Sequence, residues 1–210
     1  IGAIAAAENL VLLDDAAQGF GGAIGNQRIG AVAPYTATSF FPAKPLGCAG
    51  DGGAIFCHDA DKAALMRSIR FHGVGSDPYD VQRVGLNGRL DTLQAAILLS
   101  KLTIFEAELA EREALSRIYD QRLKGIVPTP ARPAGLHYAW AIYTIRVQNR
   151  DKLRKYLTDQ GVPTAVYYPK PMHFQAAYQA YGDGPGSCPV AERLSGEVMS
   201  LPMHPYIDEL

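Results

Sequence analysis

The chain has 210 residues, 48% of them hydrophobic and 20% charged, an ordinary globular composition with enough apolar material for a large core. Lys and Arg number 20 against 21 Asp and Glu, so the net charge of -1 lacks the basic excess of a nucleic-acid or anionic-membrane binder. With 21 Gly and 14 Pro, turns are more frequent than an all-helical protein needs.

The opening run Ile1–Ala7 is short, has no basic flank and meets Glu8 and Asn9 at once. It is neither a signal peptide nor a span, which needs about 20 apolar residues, and it reads as the end of a helix. The chain starts on Ile1 rather than Met and stops at Leu210 without a tail, so a fragment cut at both ends is expected. Leu10–Leu13 reads as a buried strand with Asp14 and Asp15 at its carboxyl end. Ala31–Phe41 and Gly53–Cys57 follow as strands, the second after the turn at Gly50-Asp51-Gly52-Gly53. Asp59 or Asp61 caps a helix running through Arg70, and residues 73–88 form a loop. From Leu90, apolar residues at spacings of three and four, with Lys101 among them, predict one long helix to Leu123, capped by Asp91 or Asn87 and stopped at Gly125. Pro128, Pro130 and Pro133 make a linker. Beyond it come a strand (139–147), a helix (150–160) stopped at Gly161, a strand (164–168), a turn (182–186) and a last helix (190–199).

Cys48, Cys57 and Cys188 lack ligand spacing, so no zinc site is expected; they read as reduced thiols of a cytosolic protein, chiefly small buried hydrophobes. The run Gly19-Phe20-Gly21-Gly22 misses the dinucleotide-binding spacing because Ile24 stands where the third glycine belongs. Four other features invite chemistry: Asp15-Ala16-Ala17-Gln18 after a strand, Ser39 to Lys44, the glycine turn at Gly50–Gly53, and Asn87-Gly88-Arg89 before the long helix. Singly, each has a plain reading. Asp15 could be a cap or surface acid, Lys44 a solvated loop lysine, Asn87 an N-cap, and Arg89 a partner of Asp91. Together they supply an acid for a protonated ring nitrogen, a hydroxyl for a phosphate and a lysine able to anchor an aldehyde. That is the outfit of a pyridoxal 5′-phosphate enzyme.

In order and spacing these segments resemble the DegT/DnrJ-type sugar aminotransferases, fold-type-I enzymes of the aspartate aminotransferase superfamily. Ser39-Phe40-Phe41-Pro42-Ala43-Lys44-Pro45-Leu46-Gly47-Cys48, the stretch Arg89–Leu99 and Thr164-Ala165-Val166-Tyr167-Tyr168-Pro169 are similar to the branch that aminates a 3-keto UDP-N-acetyl-glucuronate. The resemblance implies an α/β fold: part of a large domain with a mixed, mainly parallel sheet and a long linking helix (1–124), then a truncated small α+β domain (125–210). It implies that Lys44 binds the cofactor and moves the substrate proton, that Asp15 holds the ring nitrogen, and that Gln18 touches the ring or its phenolic oxygen. Ser39 holds the phosphate, and Asn87 reaches the cofactor of a partner subunit in a homodimer with a shared site. Arg89 is matched to a substrate carboxylate, and Tyr168 and His173 to the sugar; His173 has a plain alternative as a packed loop histidine, and Tyr167 departs from the commoner histidine. No metal is implied. Glutamate would be the amino donor and a nucleotide sugar the acceptor, in the cytoplasm, in surface polysaccharide or lipopolysaccharide synthesis. A second phosphate-binding element and a ring-stacking aromatic belong before the segment present here. A dehydratase of the same class would replace the lysine by histidine, so Lys44 favours transamination; a regulatory member of the fold is the other alternative.

Overall fold

The computed structural model describes residues 1–207. It forms two compact units, Ile1–Ala110 with Pro133–Ala141, and Glu111–Arg132 with the chain from Ile142 onward.

In the first unit, helix α1 (Gly2–Ala7) precedes strand β1 (Leu13–Asp15), the hairpin β2 (Ala23–Ile24) and β3 (Gln27–Arg28), then β4 (Tyr35–Ser39), β5 (Gly53–Cys57) and α2 (Ala60–Arg70). A mixed sheet runs β1-β4-β5: β1 lies parallel to β4, and β5 returns antiparallel to it. β1 starts later than its apolar run suggests, carries both acids within it, and is not the buried strand expected, since Leu10, Val11 and Leu13 are exposed. The segment after Gly22 enters the hairpin rather than a helix, in keeping with the failed dinucleotide fingerprint. The predicted cap of α2 is present: Asp59 Oδ1 accepts the amide hydrogens of Asp61 and Lys62, satisfying donors that the first helical turn leaves open.

The single long helix expected from Leu90 to Leu123 is two helices, α3 (Thr92–Leu102) and α4 (Phe105–Leu123). Ser100 and Thr103 hydroxyls donate to the carbonyls of Ala96 and Ser100, and the backbone tightens to Thr103 N–H to Ser100 and Ile104 N–H to Lys101. Such local side-chain bonds compete with the helical ladder. Asp91 is the N-cap of α3 by position, but its side chain makes no capping bond. The packed face of α3 also differs from the apolar stripe in the sequence: Leu98 is buried while Leu93 is 78% exposed. Leu98 joins Phe40, Leu46, Cys48, Phe105, Leu109 and Ala139 in the core. β6 (Leu136–His137) pairs antiparallel with β2.

α4 carries the chain into the second unit. There β7 (Tyr143–Arg146), α5 (Arg150–Asp159), α6 (Pro189–Glu197) and β8 (Val198–Leu201) are joined by two 3-10 turns, Met172–Phe174 and Ala176–Tyr181. β7 pairs antiparallel with β8. The strand expected at 139–147 begins only at Tyr143, because Trp140 takes a left-handed φ of 46°. The strand expected at 164–168 reduces to one bridge, Ala165 with Ser200. Pro163 and Pro169 bracket it, and proline has no N–H to give a ladder. Gly161 ends α5 as expected, at φ 80°. Tyr143, wholly buried, donates to Asp120 Oδ1 at 2.5 Å. Burial first, then the Asp120 hydrogen bond, raises its phenol above the ordinary value. Arg132 binds the other oxygen of Asp120 and reaches Glu113 at 3.0 Å and Ser116 at 2.6 Å.

Candidate active site

Parallel pairing sets the first element of the site. Asp15 stands opposite Ala37, and Ser39 closes β4 two residues later, so both side chains come to the carboxyl ends of neighbouring strands. Because β1 persists through both acids, successive side chains alternate between its faces. Asp14 is half-buried, with Oδ2 enclosed and unpartnered beside its register partner Thr36, while Asp15 is exposed. Asp15 Oδ1 accepts the Ala17 amide hydrogen at 3.0 Å. Gln18 lies exposed in the following turn, which Thr38 braces by donating its hydroxyl to Ala16 O at 3.2 Å.

Lys44 is carried by a tightly wound loop between β4 and β5. Phe40 N–H donates to Gly52 O at 2.7 Å and Cys48 N–H to Phe40 O at 2.8 Å, closing the loop at its base. Lys44 N–H donates to Phe41 O at 2.9 Å, and Phe41 N–H to Ser39 Oγ at 3.2 Å. Residues 41–42 and 47 pass so closely that a Cβ on Gly47 would lie 2.6 Å from Pro42 O. Gly52 and Gly53 answer the same need, since a Cβ there would meet Leu90 at 2.9 Å and Thr38 O at 2.7 Å. Of the three cysteines expected to be buried only Cys48 is, Cys57 being half-buried and Cys188 exposed; Cys48 Sγ also lies 3.0 Å from both Phe40 O and Gly50 O. The Lys44 ammonium has no hydrogen-bond or ion-pair partner among the described residues.

Two residues that the motif reading did not select hold this loop. Gln94 Oε1 accepts the Ala49 amide hydrogen at 2.8 Å, and Lys101 Nζ donates to Gly47 O at 2.7 Å, both from α3. The signal was present in the sequence: a lysine placed in register with an apolar helical stripe.

Asn87 and Arg89 are exposed on the strand-like segment that bridges back to Phe71. Arg89 pairs with Asn87 rather than Asp91: Nε donates to Asn87 Oδ1 at 3.1 Å, and the guanidinium lies 4.9 Å from the centre of the Phe71 ring. Both Nη groups of Arg89 and the Asn87 amide nitrogen stay free for a ligand.

Tyr168 and His173 belong to the second unit. Tyr168 is 69% exposed. His173 Nε2 lies 3.0 Å from Glu192 Oε1, and Glu192 also accepts the amide hydrogens of Gly186 and Cys188. The hydrogen bond from His173 holds the Glu192 carboxyl below its usual range. Among the described residues no group of three His, Cys, Asp or Glu could hold a metal, and no helix is long and apolar enough to cross a membrane.

The mixed α/β architecture is that of part of a fold-type-I sugar aminotransferase. The chain belongs to the DegT/DnrJ/EryC1/StrS aminotransferase family, whose model matches residues 1–209. It is 45% identical to the UDP-2-acetamido-2-deoxy-3-oxo-D-glucuronate aminotransferase of Pseudomonas aeruginosa, over 99% of this chain and 57% of that protein. A DegT DnrJ EryC1 StrS aminotransferase from Brucella abortus superposes with a TM-score of 0.94 at 50% identity, covering 99% of this chain and 56% of that one. DesV of S. venezuelae gives a TM-score of 0.94 at 35% identity, with the same two coverages. The chain thus spans a little over half the length of the relatives it matches.

The family depends on pyridoxal 5′-phosphate. The donor set fits that group. Asp15 keeps one carboxylate oxygen free, Ser39 uses its oxygen as acceptor and so keeps its hydrogen to donate, and the Lys44 amine is uncommitted.

Proposed function

We propose that the intact protein is a pyridoxal-phosphate-dependent aminotransferase that moves an amino group from glutamate to the keto group of a nucleotide-linked sugar. The observation that carries the reading is the convergence of Asp15, Ser39 and the Lys44 loop on one edge of the β1–β4 pair. Bound there, the cofactor would act as the electron sink for deprotonation next to nitrogen.

The residues divide the work. Asp15, charged and open to the site, would keep the ring nitrogen protonated. Ser39 would donate to the phosphate. Lys44 would hold the aldehyde carbon and, once displaced by the amino donor, carry the proton to and from the substrate carbon. Gln18 would lie against the ring. Asn87 would reach the phosphate of the cofactor in the partner subunit, so the working form would be a homodimer with a shared site. Arg89, over the Phe71 ring and bonded to Asn87, would present its two Nη groups to a carboxylate, which glutamate and a uronate sugar both carry. Tyr168 would contact the sugar, and His173 would do so from its Glu192 hydrogen bond.

The likeness to the Pseudomonas enzyme supports a 3-keto UDP-N-acetyl-glucuronate as acceptor; such an activity would suit a cytoplasmic step of surface polysaccharide or lipopolysaccharide synthesis. Other relatives are named for transamination of dTDP sugars, and turnover of UDP- against dTDP-linked keto sugars distinguishes the two acceptors. Two relatives are named for sensory or regulatory roles, the erythromycin sensory transduction protein and a pleiotropic regulatory protein. The free Lys44 amine favours catalysis here over such a role or a lysine-free dehydratase.

The test is spectroscopic. Pyridoxal 5′-phosphate added to the intact protein should give an absorbance that borohydride fixes at Lys44, and glutamate should convert it to the pyridoxamine form. Lys44→Ala turning over a keto sugar at the native rate would refute the reading.

A further inference from the structure

We propose that helix α3 sets the position of the reactive lysine, with Gln94 and Lys101 as positioning residues for Lys44. This rests on the assignment of Lys44 as the cofactor-anchoring lysine.

Gln94 and Lys101 are seven residues apart, close to two full turns, so they share one face of α3 about 10 Å apart along its axis. Leu98 lies between them on that face and packs in the core with Leu46 and Cys48. The helix therefore bonds to the loop at two places, Lys101 on Gly47 O and Gln94 on Ala49 N–H, with Leu98 between them in the same core cluster as Leu46 and Cys48. Lys44 stands three residues before the first of these anchors, on the turn formed by its bond to Phe41 O. Gly47 passes so close to Phe41 and Pro42 that a Cβ there would lie 2.8 Å and 2.6 Å from their carbonyl oxygens, so a shift at residues 47–49 would press on the turn that carries Lys44.

The chemistry makes placement matter. To capture the aldehyde, the lysine nitrogen must be neutral, bond to the aldehyde carbon and let the oxygen leave as water. This demands approach at a defined distance and angle, where misplacement by about 1 Å can cost about 10²-fold in rate. The Lys101 bond is charge-assisted and partly buried, the stronger kind. Leu90, just before α3, lies against the other end of the same loop, where a Cβ on Gly52 would meet it at 2.9 Å.

The experiment uses the intact protein with Gln94→Leu and Lys101→Met, and with Gln94→Glu and Lys101→Arg as replacements that keep the acceptor and the donor. Three quantities are read in folded variants: the rate of borohydride-trapped capture of pyridoxal 5′-phosphate at Lys44, the affinity for pyridoxine 5′-phosphate, which has no aldehyde to capture, and amide hydrogen exchange over residues 41–49. The expected result is capture slowed about tenfold or more in the Leu and Met variants. Pyridoxine 5′-phosphate affinity should stay within about twofold of native, since Asp15 and Ser39 remain, and Glu and Arg should restore capture. Native capture rates would overturn the proposal, as would a loss of pyridoxine 5′-phosphate affinity as large as the loss of capture, because that marks general loosening of the site. If the native protein captures no cofactor at all, the assignment of Lys44 fails, and hydrogen exchange still decides the clamp. Faster exchange at both the Ala49 and Lys44 amides in Gln94→Leu upholds it; acceleration at Ala49 alone overturns it.

Discussion

Gly47→Ala is the sharpest probe of the lysine loop. The new Cβ would lie 2.6 Å from Pro42 O and 2.8 Å from Phe41 O, where ordinary contact starts near 3.4 Å. The two backbone strands must therefore part by roughly 0.8 Å, the difference between 3.4 and 2.6. Overpacking of this kind costs about 1–3 kcal/mol, or roughly 2–4 °C of melting temperature per kcal/mol in a chain of this size. The displaced residues lie only two or three positions before Lys44, so capture of pyridoxal 5′-phosphate should slow by up to about 10²-fold. Thermal melting measures the first effect and stopped-flow absorbance the second. Gly196→Ala is the control, since its Cβ would meet nothing within 4 Å. Gly47→Ala melting with the native protein and capturing cofactor at the native rate would refute the steric argument.

Three further outcomes are expected. Tyr143→Phe removes a donor to a carboxylate in a wholly buried ring and should cost about 2 kcal/mol in urea denaturation, Arg132 still holding the other Asp120 oxygen; a cost under about 0.5 kcal/mol would contradict it. Glu192, held below its ordinary 4.5 by the His173 hydrogen bond, stabilises the fold above that value and ceases to as pH falls through its lowered folded pKa. Glu192→Gln should therefore be less stable than the native protein at pH 7 and converge on it in acid; parallel curves would count against this. Mixing Asn87→Ala with Lys44→Ala subunits should restore activity if each site draws Asn87 from the partner, and a mixture as inactive as its parents would remove the shared-site reading.

The boundaries of α2 and α5 were legible because their signals are local. Asp59 before an amphipathic run and Gly161 after one act within a single turn of backbone, as the Asp59 bonds and the φ of Gly161 show. Ser39 and Lys44 stand five residues apart on β4 and the loop after it, so their nearness needs no distant packing, whereas Asp15, on β1, comes beside them only through strand pairing. The division of the 90–123 helix was less legible, since Ser100 and Thr103 are tolerated in helices and act only through the geometry of their own hydroxyls. Likewise the run 164–168 has the composition of a strand, but only one of its residues finds a partner.

By itself, then, the sequence determined the chemical types present and their spacing along the chain: a carboxylate, a hydroxyl and a lysine between glycine turns. Only the tertiary structure decided which acid faces outward, through the parallel register of β1 on β4, and what holds the lysine loop. Gln94 and Lys101 lie 45 residues beyond Ala49 and 54 beyond Gly47. Contacts across such separations arise from packing in three dimensions, which local propensity does not encode.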